Sequence, residues 1–288
     1  MVEISIILIT YNHEDYITQA IDSILNQDIQ KKRCELIIAE DFSSDQTRLL
    51  IDNYDFSSFS KCIKLYRKRN IGLVENLAEA ISLAQGKYIA MISGDDYWNN
   101  PKKLSHQKEI LDTNEDCQIV YTAVEILKNG TLSRTNQSHI KTKSTIADVE
   151  NLFNFPFSIN ASTVMVRNLQ MSEYIKLLLE ARFEDIALYF FSLNLGAAYF
   201  IKTVCSVYRV HKKSMWRSYN ENVQLLLKIE NLLLINKMLY EDKLFNKIAE
   251  NLSSVRMVNT SKAPTTRRLS KKIIKIINFL FSKLINQT

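Results

Sequence analysis

The stretch YIAMISGDDYW, residues 88–98, joins an apolar run to two adjacent carboxylates, Asp95 and Asp96. An earlier segment has the same design, because the run ELII at 35–38 leads into AEDFSSD at 39–45. Short apolar runs of this kind predict buried strands. In an open α/β sheet, ligands bind outside the carboxyl ends of the strands. The two acidic clusters are therefore predicted to converge on one crevice, where carboxylates suit a divalent cation and the phosphates that it carries.

Strand and helix patterns alternate over the first 126 residues. Strands are predicted at 3–9, 34–39, 62–66, 87–92 and 117–126, and helices at 14–26, after 45, at 73–84 and after Pro101. We expect Asn12 to cap the first helix, and Ser44 or Asp45 the second. This alternation implies right-handed crossovers and an α/β fold with a mainly parallel sheet flanked by helices.

The pattern loosens beyond residue 127. We predict a hairpin or loop near 129–145, strands at 162–166, 197–201 and 204–210, helices at 168–180 and 184–195, a helical pair at 221–258 and a linker at 259–266. Residues 267–286 form a last helix with leucines and isoleucines on one face and lysines over much of the rest. Such a helix can lie in a membrane interface, and its lysines prevent it from spanning. Docking on the domain or on a partner subunit is the open alternative.

The size and charge of the chain limit its class. Its 288 residues fit one large domain, with or without an appendage, and its net charge of +6 suits phosphate-bearing substrates or anionic lipid. No nucleic-acid motif accompanies the charge, so no nucleic-acid partner is expected. The four cysteines form no CxxC pair and are expected to be buried, reduced thiols. The start MVEISIILITYN lacks a basic leader, so we expect a cytoplasmic protein, with a peripheral position on the inner face of the plasma membrane as an option.

The Asp95-Asp96 pair is the clearest chemical feature. Adjacent carboxylates on a tight turn can together hold a metal ion that binds a diphosphate. Alternatively, one carboxylate can bind the metal while the other binds a ribose hydroxyl. Bound Mg²⁺ or Mn²⁺ would neutralise the charge that grows on a leaving nucleoside diphosphate. A solvated acidic turn is the alternative, and the apolar strand before the pair and Tyr97-Trp98 after it favour the metal.

Three other strand ends carry candidate binding residues. Glu40-Asp41 can accept a hydrogen bond from a base N–H or a ribose hydroxyl, or can serve as an acidic cap for the next helix. The ring of Tyr11, in Thr10-Tyr11-Asn12, can stack on a nucleobase or form a hydrophobic lid. Lys68-Arg69-Asn70 can meet phosphate or base edges, and a solvated basic turn is equally favoured.

Five segments, in order, resemble glycosyltransferase family 2, a group of inverting sugar transferases with a GT-A (Rossmann-like) fold. They are ISIILITYNHEDYITQAIDSILNQ (4–27), IIAEDFSSDQTRLL (37–50), NIGLVENLAEAISLAQGKYIA (70–90), SGDDYWNNPKKLSHQKEIL (93–111) and CSVYRVHKKSMW (205–216). The similarity covers roughly residues 3–216. Acidic pairs after strands are common, whereas five segments in series are specific.

The resemblance implies roles for particular residues. By position, the nucleotide contacts are Thr10, Tyr11, Asp41, Arg69 and Asp95, the metal ligands are Asp95, Asp96 and His211, and the catalytic base is Asp185, in FEDIAL. Arg209 would lie near the same diphosphate. The family often has an acidic residue where Ser93 stands, which puts one metal or ribose contact in doubt. The remaining histidines receive no role.

The implied function is inverting transfer of a sugar from a nucleoside-diphosphate sugar, expected to be a UDP-sugar, to an acceptor hydroxyl, assisted by Mg²⁺ or Mn²⁺. Residues 1–126 would bind the donor, 127–216 would supply the acceptor and catalytic half, and 217–288 would form a helical C-terminal extension. The expected acceptor is a bacterial-type surface polysaccharide or lipid-linked glycan. Two alternatives stay open. The first is a catalytically impaired sugar-nucleotide or membrane-binding module, because Ser93 replaces an acidic residue that is frequent in the family. The second is a nucleotidyltransferase, which would normally show a glycine-rich phosphate loop that TYNHEDY (10–16) lacks.

Overall fold

The computed structural model describes residues 1–134, 142–144, 159–169, 171–180 and 184–211. The helices predicted at 221–258 and 267–286, the linker at 259–266 and the domain boundary at 216 lie outside the described residues. Among the helices that are described, none has the length and apolar composition needed to cross a membrane.

Within these residues the chain forms nine strands and six α-helices. The strands are β1 Ile4–Thr10, β2 Cys34–Glu40, β3 Lys61–Tyr66, β4 Tyr88–Ser93, β5 Cys117–Lys128, β6 Thr131–Arg134, β7 Lys143–Ser144, β8 Val164–Arg167 and β9 Ala197–Val210. The helices are α1 Ile17–Leu25, α2 Thr47–Asp52, α3 Leu73–Ser82, α4 Lys103–Thr113, α5 Met171–Glu180 and α6 Glu184–Leu195.

All nine strands belong to one sheet in the order β3-β2-β1-β4-β8-β5-β9-β7, with β6 paired to β5 beside this path. Strands β1 to β4 are mutually parallel, and β9 is parallel to β5. The antiparallel strand β8 separates β4 from β5. The predicted mainly parallel α/β sheet is therefore confirmed, with β6, β7 and β8 as its antiparallel members.

The central strands are buried on both faces, as their continuous apolar sequences predict. Every residue of β1 and of β2 is buried. Their register places Thr10 opposite Glu40 and Ile9 opposite Ser93. Strands β1, β2 and β4 therefore end level with one another, and the loops that follow them meet at one edge of the sheet.

Two local predictions were wrong for physical reasons. Asn12 does not cap α1, because it adopts a left-handed conformation (φ 55°) and its side-chain oxygen accepts the N–H of Ser44 instead. The strands predicted at 197–201 and 204–210 form the single strand β9, because the register against β5 shifts between Thr122 and Ala123. An irregularity of this kind absorbs extra residues without ending a strand.

Other local expectations hold. The carboxylate of Asp45 accepts the N–H of Thr47 at 3.0 Å and so starts α2. The expected hairpin begins with β5 and β6, joined through Asn129 and Gly130, which both have positive φ values of 51° and 76°. Such a pair matches the twist of a two-residue hairpin turn. The four cysteines are free thiols, three of them buried and Cys62 half-buried.

Candidate active site

The loops after β1, β2 and β4 are held together by backbone hydrogen bonds. Asp41 donates its N–H to Thr10 O at 3.0 Å, and Gly94 donates to Ile9 O at 2.7 Å. Gly94 has no room for a side chain, because a Cβ there would lie 2.5 Å from Thr10 Oγ1 and 2.9 Å from His13 Nδ1. Glycine at this position therefore lets the aspartate turn lie directly against the end of β1.

Asp95 is the centre of the cluster at this edge. Its Oδ2 lies 3.0 Å from Nε2 of His211, the residue that follows β9. The same oxygen lies 3.7 Å from Nε2 of His13, whose Nδ1 is 3.2 Å from the Thr10 hydroxyl. The Asp95 side chain is 15% exposed. Residues from the ends of β1, β4 and β9 thus meet around one carboxylate that a ligand can still reach.

Asp96 turns inward and fastens β9 to the aspartate turn. It is 2% exposed, and its Oδ1 accepts the backbone N–H of Arg209 at 2.9 Å. The Arg209 guanidinium donates to the carbonyl oxygen of Asp95 and to the side chain of Gln19. It also lies over the rings of Tyr16 and Tyr97, 4.9 and 5.0 Å from their centroids. These contacts fix the end of β9 and hence the position of His211.

The two aspartates have opposite electrostatic environments. Burial acts to raise the pKa of Asp95, but hydrogen bonds from His211 and Ser93 and the nearby His13 lower it to about 2. Burial and the neighbouring Asp95 charge raise the pKa of Asp96 well above its usual range. Two carboxyl groups with separated pKa values take different roles. The lowered pKa favours the charged form of Asp95, and Ser93 supports that form by hydrogen bonding.

The two residues of the second acidic pair, Glu40 and Asp41, also differ in their surroundings. Glu40 is fully buried, forms an ion pair with Arg48 and accepts the N–H of Ser43 at 2.5 Å. Asp41 accepts the N–H groups of the loop before α3, from residues 71 and 72, at 2.8 Å each. A carboxylate has about four lone-pair positions, so Asp41, although only 3% exposed, has acceptor positions beyond those that its two backbone partners use. Glu40 is a structural residue, and Asp41 is the member of the pair that is suited to binding.

The remaining predicted residues lie on other segments, two on loops and one on a helix. Tyr11 is exposed beside Thr10, and Arg69 is exposed after β3 without a hydrogen bond or ion pair to the Asp95 cluster. Asp185 is half-buried in the first turn of α6, where the helix dipole favours a carboxylate. Of the predicted residues, the structure therefore brings together Thr10, Asp95, Asp96 and His211.

His13 is the site residue that the sequence did not reveal. The left-handed backbone at Asn12 turns the chain back, so that the His13 ring covers the end of β1. Tyr16 follows on the same loop, and its ring lies 4.7 Å from that of His211. The only available signal was the residue type itself, a histidine three positions after a strand end.

The cluster around Asp95 offers two adjacent donor atoms to a divalent cation. Within the described ranges, no group of three or more His, Cys, Asp or Glu side chains is arranged to hold a metal ion by itself. Asp95 nevertheless offers a carboxylate oxygen, which suits Mg²⁺ and Mn²⁺, and His211 places an imidazole nitrogen, a ligand of several transition metals, beside it. Cations that travel with nucleotides commonly use one or two protein ligands and complete their shell with phosphates and water. The residues present fit a cation of that kind.

Several known proteins are similar to this chain. The putative teichuronic acid biosynthesis glycosyltransferase TuaG of Bacillus subtilis is 30% identical over 129 residues, which are 44% of this chain and 49% of TuaG. A segment of 100 residues is 32% identical to the poly(ribitol-phosphate) β-N-acetylglucosaminyltransferase TarS of Staphylococcus aureus, 17% of whose length it covers. The chain thus spans less than half the length of these curated relatives.

Solved structures show the same fold. TarS 1–349 of S. aureus in complex with UDP-GlcNAc superposes with a TM-score of 0.67 at 19% identity, over 87% of this chain and 71% of that one. The mannosyltransferase PcManGT of Pyrobaculum calidifontis, in complex with GDP-Man and Mn²⁺, gives a TM-score of 0.58 at 14% identity, over 96% and 84% of the two chains. The expected GT-A fold is confirmed.

The family model described as glycosyl transferase family 2 matches residues 5–169, which is more than half of the chain. This match contains β1 to β4, the loops that carry Asp41 and Asp95, and β8. The resemblance seen in the sequence is confirmed, and the chain belongs to glycosyl transferase family 2.

Proposed function

We propose that this protein is a metal-dependent inverting glycosyltransferase that takes its sugar from a nucleoside diphosphate, UDP in the first instance. The observation that carries the proposal is the Asp95–His211 pair, 3.0 Å apart, at the level ends of β1, β2 and β4. Its support is the family membership together with two proteins of the same fold, one solved with UDP-GlcNAc and one with GDP-Man and Mn²⁺.

The donor nucleotide would lie along the ends of β1 and β2. Asp41 would accept a base N–H or a ribose hydroxyl with the lone pairs that its backbone partners leave open. Tyr11, which is exposed beside it, would stack on the base, and Thr10 would support this loop through His13. Arg69 carries an exposed guanidinium on the next loop and would meet a phosphate.

The diphosphate would lie over the aspartate turn. Asp95 and His211 would hold Mg²⁺ or Mn²⁺ there, and Asp96 is proposed as the neighbouring carboxylate of the same site. When bound, the cation would neutralise the negative charge that develops on the departing diphosphate. Arg209 would keep His211 in place, because it joins the end of β9 to the carbonyl oxygen of Asp95 and to the ring of Tyr16.

Asp185 would act as the general base. Its carboxylate would take the proton of an acceptor hydroxyl. The acceptor oxygen would then form a bond to the anomeric carbon while the bond from that carbon to the diphosphate oxygen breaks. Attack from the face opposite the leaving group would invert the anomeric configuration.

The acceptor that we propose is a surface polysaccharide or a lipid-linked glycan, which would be met at the cytosolic face of a membrane. The printed names of TuaG and TarS associate those proteins with teichuronic acid and poly(ribitol phosphate). The basic helix predicted at 267–286 would supply peripheral membrane contact. Removal of residues 267–288 should then release the protein from vesicles that contain anionic lipid, and unchanged co-sedimentation would contradict the membrane part of the proposal.

The experiment that tests the proposal is a donor screen with Mn²⁺ or Mg²⁺ that measures nucleotide release and product configuration. D185N should lose at least a hundredfold in turnover and retain donor affinity. E173Q is the matched control, because Glu173 is also an acid in the first turn of a helix, α5, and carries no proposed role. A parent protein that binds donors without turnover would favour the impaired binding module, and one that binds no nucleotide sugar would refute the proposal.

A further inference from the structure

Phe42 has an unusual combination of backbone conformation and exposure. Its φ is 64°, in the left-handed region that bulky residues rarely occupy, and its ring is 49% exposed. A strained conformation persists only where the surrounding structure enforces it, and such positions concentrate at functional sites. An apolar side chain that is only half buried, at a strained position, requires another explanation.

The loop that carries Phe42 is fixed in place. Asn12 donates its N–H to the hydroxyl of Ser43 at 2.9 Å, and its side-chain oxygen accepts the N–H of Ser44 at 2.8 Å. Two further bonds join Glu14 to this loop, with its N–H at 3.1 Å from Asp45 Oδ2 and its carboxylate at 3.0 Å from the N–H of residue 46. Four hydrogen bonds thus join the loop after β1 (residues 11–14) and the loop after β2 (residues 41–46) into one rigid unit, which we call the frame.

The frame carries two exposed aromatic residues, one on each of its loops. Asp41 donates its N–H to Thr10 O, so Tyr11 and Phe42 are the next residues on two neighbouring backbones. Both rings are exposed, Tyr11 by 44% and Phe42 by 49%. Phe42 also directly follows Asp41, whose carboxylate is held by the N–H groups of Ile71 and Gly72. Phe42 is therefore the exposed residue next in the chain to the proposed polar contact of the base.

We infer that Phe42 is a further binding residue that, with Tyr11, holds the nucleobase of the donor. This inference rests on the proposed function and adds to it a second aromatic surface for the base. Every nucleobase has a π-face, so aromatic rings bind bases through stacking, and Asp41 supplies the polar contact that an apolar ring lacks. Because the frame is already rigid, little conformational entropy is lost when the base binds.

The test measures the affinities of UDP, GDP, ADP and CDP, each with Mn²⁺, by calorimetry. F42A should weaken the preferred nucleotide about ten- to a hundredfold, the range expected for loss of one base–aromatic contact, and F42W should restore it. Inorganic pyrophosphate with Mn²⁺ has no base, so its affinity should be the same in F42A as in the parent. Equal losses for nucleotide and pyrophosphate would show a structural role and overturn the inference.

A glycine substitution separates binding from stability. F42G removes the strain of a positive φ and should raise the melting temperature while it weakens nucleotide binding. N129G is the matched control, because Asn129 has a φ of 51° in the β5–β6 turn, far along the chain from the loops described here. It should raise the melting temperature and leave nucleotide affinity unchanged. Unchanged affinity in both F42A and F42G would overturn the inference.

The outcomes also separate this inference from the proposed function. A parent protein that binds a nucleotide through Phe42 and transfers no sugar would refute the transferase and retain the inference. A parent that transfers sugar without any dependence on Phe42 would refute the inference alone. A parent that binds none of the four nucleotides would refute both.

Discussion

Substitution of Gly94 by alanine should disable the site, whereas an equally crowded alanine at Gly86 should not. The two glycines flank β4, Gly86 before it and Gly94 after it. A Cβ at Gly94 would lie 2.5 Å from Thr10 Oγ1 and 2.9 Å from His13 Nδ1. A Cβ at Gly86 would lie 2.5 Å from Ser5 N, at the opposite end of the sheet. All three distances are too short for a real carbon, so neighbouring atoms must move in each variant.

The expected magnitudes follow from these contacts. Insertion of a methyl group into a packed region costs about 1–3 kcal/mol, so both variants should be destabilised. For a domain of this size each kcal/mol lowers the melting temperature by about 2–4 °C. In G94A the atoms that move belong to His13, which lies 3.7 Å from Asp95, and to Thr10, whose hydroxyl contacts His13, so affinity for a cation-bound nucleotide should fall at least about tenfold. In G86A the displaced backbone of residues 4 and 5 touches none of these groups.

The assay combines thermal unfolding with titration of UDP and Mn²⁺ at a temperature where each variant is folded. Stability loss alone does not change the affinity of the folded population, so the dissociation constant isolates the effect on the site. We expect similar falls in melting temperature and a change in affinity for G94A only. Unchanged affinity in G94A, or equal losses in both variants, would refute the argument that Gly94 positions the site.

Three further outcomes are expected. Burial lowers the pKa of Lys103 to about 7, so the free-energy cost of burying its charged amine is complete below pH 7 and declines as the pH rises toward the usual lysine pKa. Between pH 6 and pH 8 the unfolding free energy of the wild type should therefore rise by about 1.4 kcal/mol relative to that of K103M, as measured by urea titration. Parallel pH profiles of the two proteins would contradict this. E40Q breaks a buried ion pair with Arg48, so it should lower the unfolding free energy by about 1–3 kcal/mol and leave nucleotide affinity intact. D41N should weaken nucleotide binding. If calorimetry shows the reverse, Glu40 is the binding residue and Asp41 the structural one. R209K loses a guanidinium that joins β9 to the aspartate turn, so its Mn²⁺-dependent affinity for UDP should fall about tenfold, and parent-like affinity would contradict a positioning role.

The sequence predicts those parts of the fold and site that depend on short segments. Continuous apolar runs identify β1, β2 and β4 because strands covered on both faces need no polar alternation. The same runs place Asp41 and Asp95 at strand ends, and the sheet rule then brings these ends to one edge. The structure confirms that edge, because β1 pairs with β2 and with β4 in level register.

Other features depend on backbone conformation or on distant pairing. His13 reaches Asp95 only because Asn12 has a left-handed backbone conformation. Asparagine tolerates this conformation, but its presence in a sequence does not predict it. Arg209 reaches the aspartate turn only through the register of β9 against β5, which contains shifts that no local pattern encodes. The inward turn of Asp96 follows from the same long-range contact. The sequence therefore predicts which carboxylates lie at this edge of the sheet but not the contacts that orient them.

The most direct test of the account is the binding of Mn²⁺ in the presence of UDP, followed through the electron paramagnetic resonance signal of the free ion. The parent protein should bind one Mn²⁺ per chain when UDP is present, and D95N and H211A should each weaken that binding by at least about tenfold, since each removes one of the two adjacent donors. Parent-like Mn²⁺ binding in both variants would contradict the claim that Asp95 and His211 hold the cation of the nucleotide.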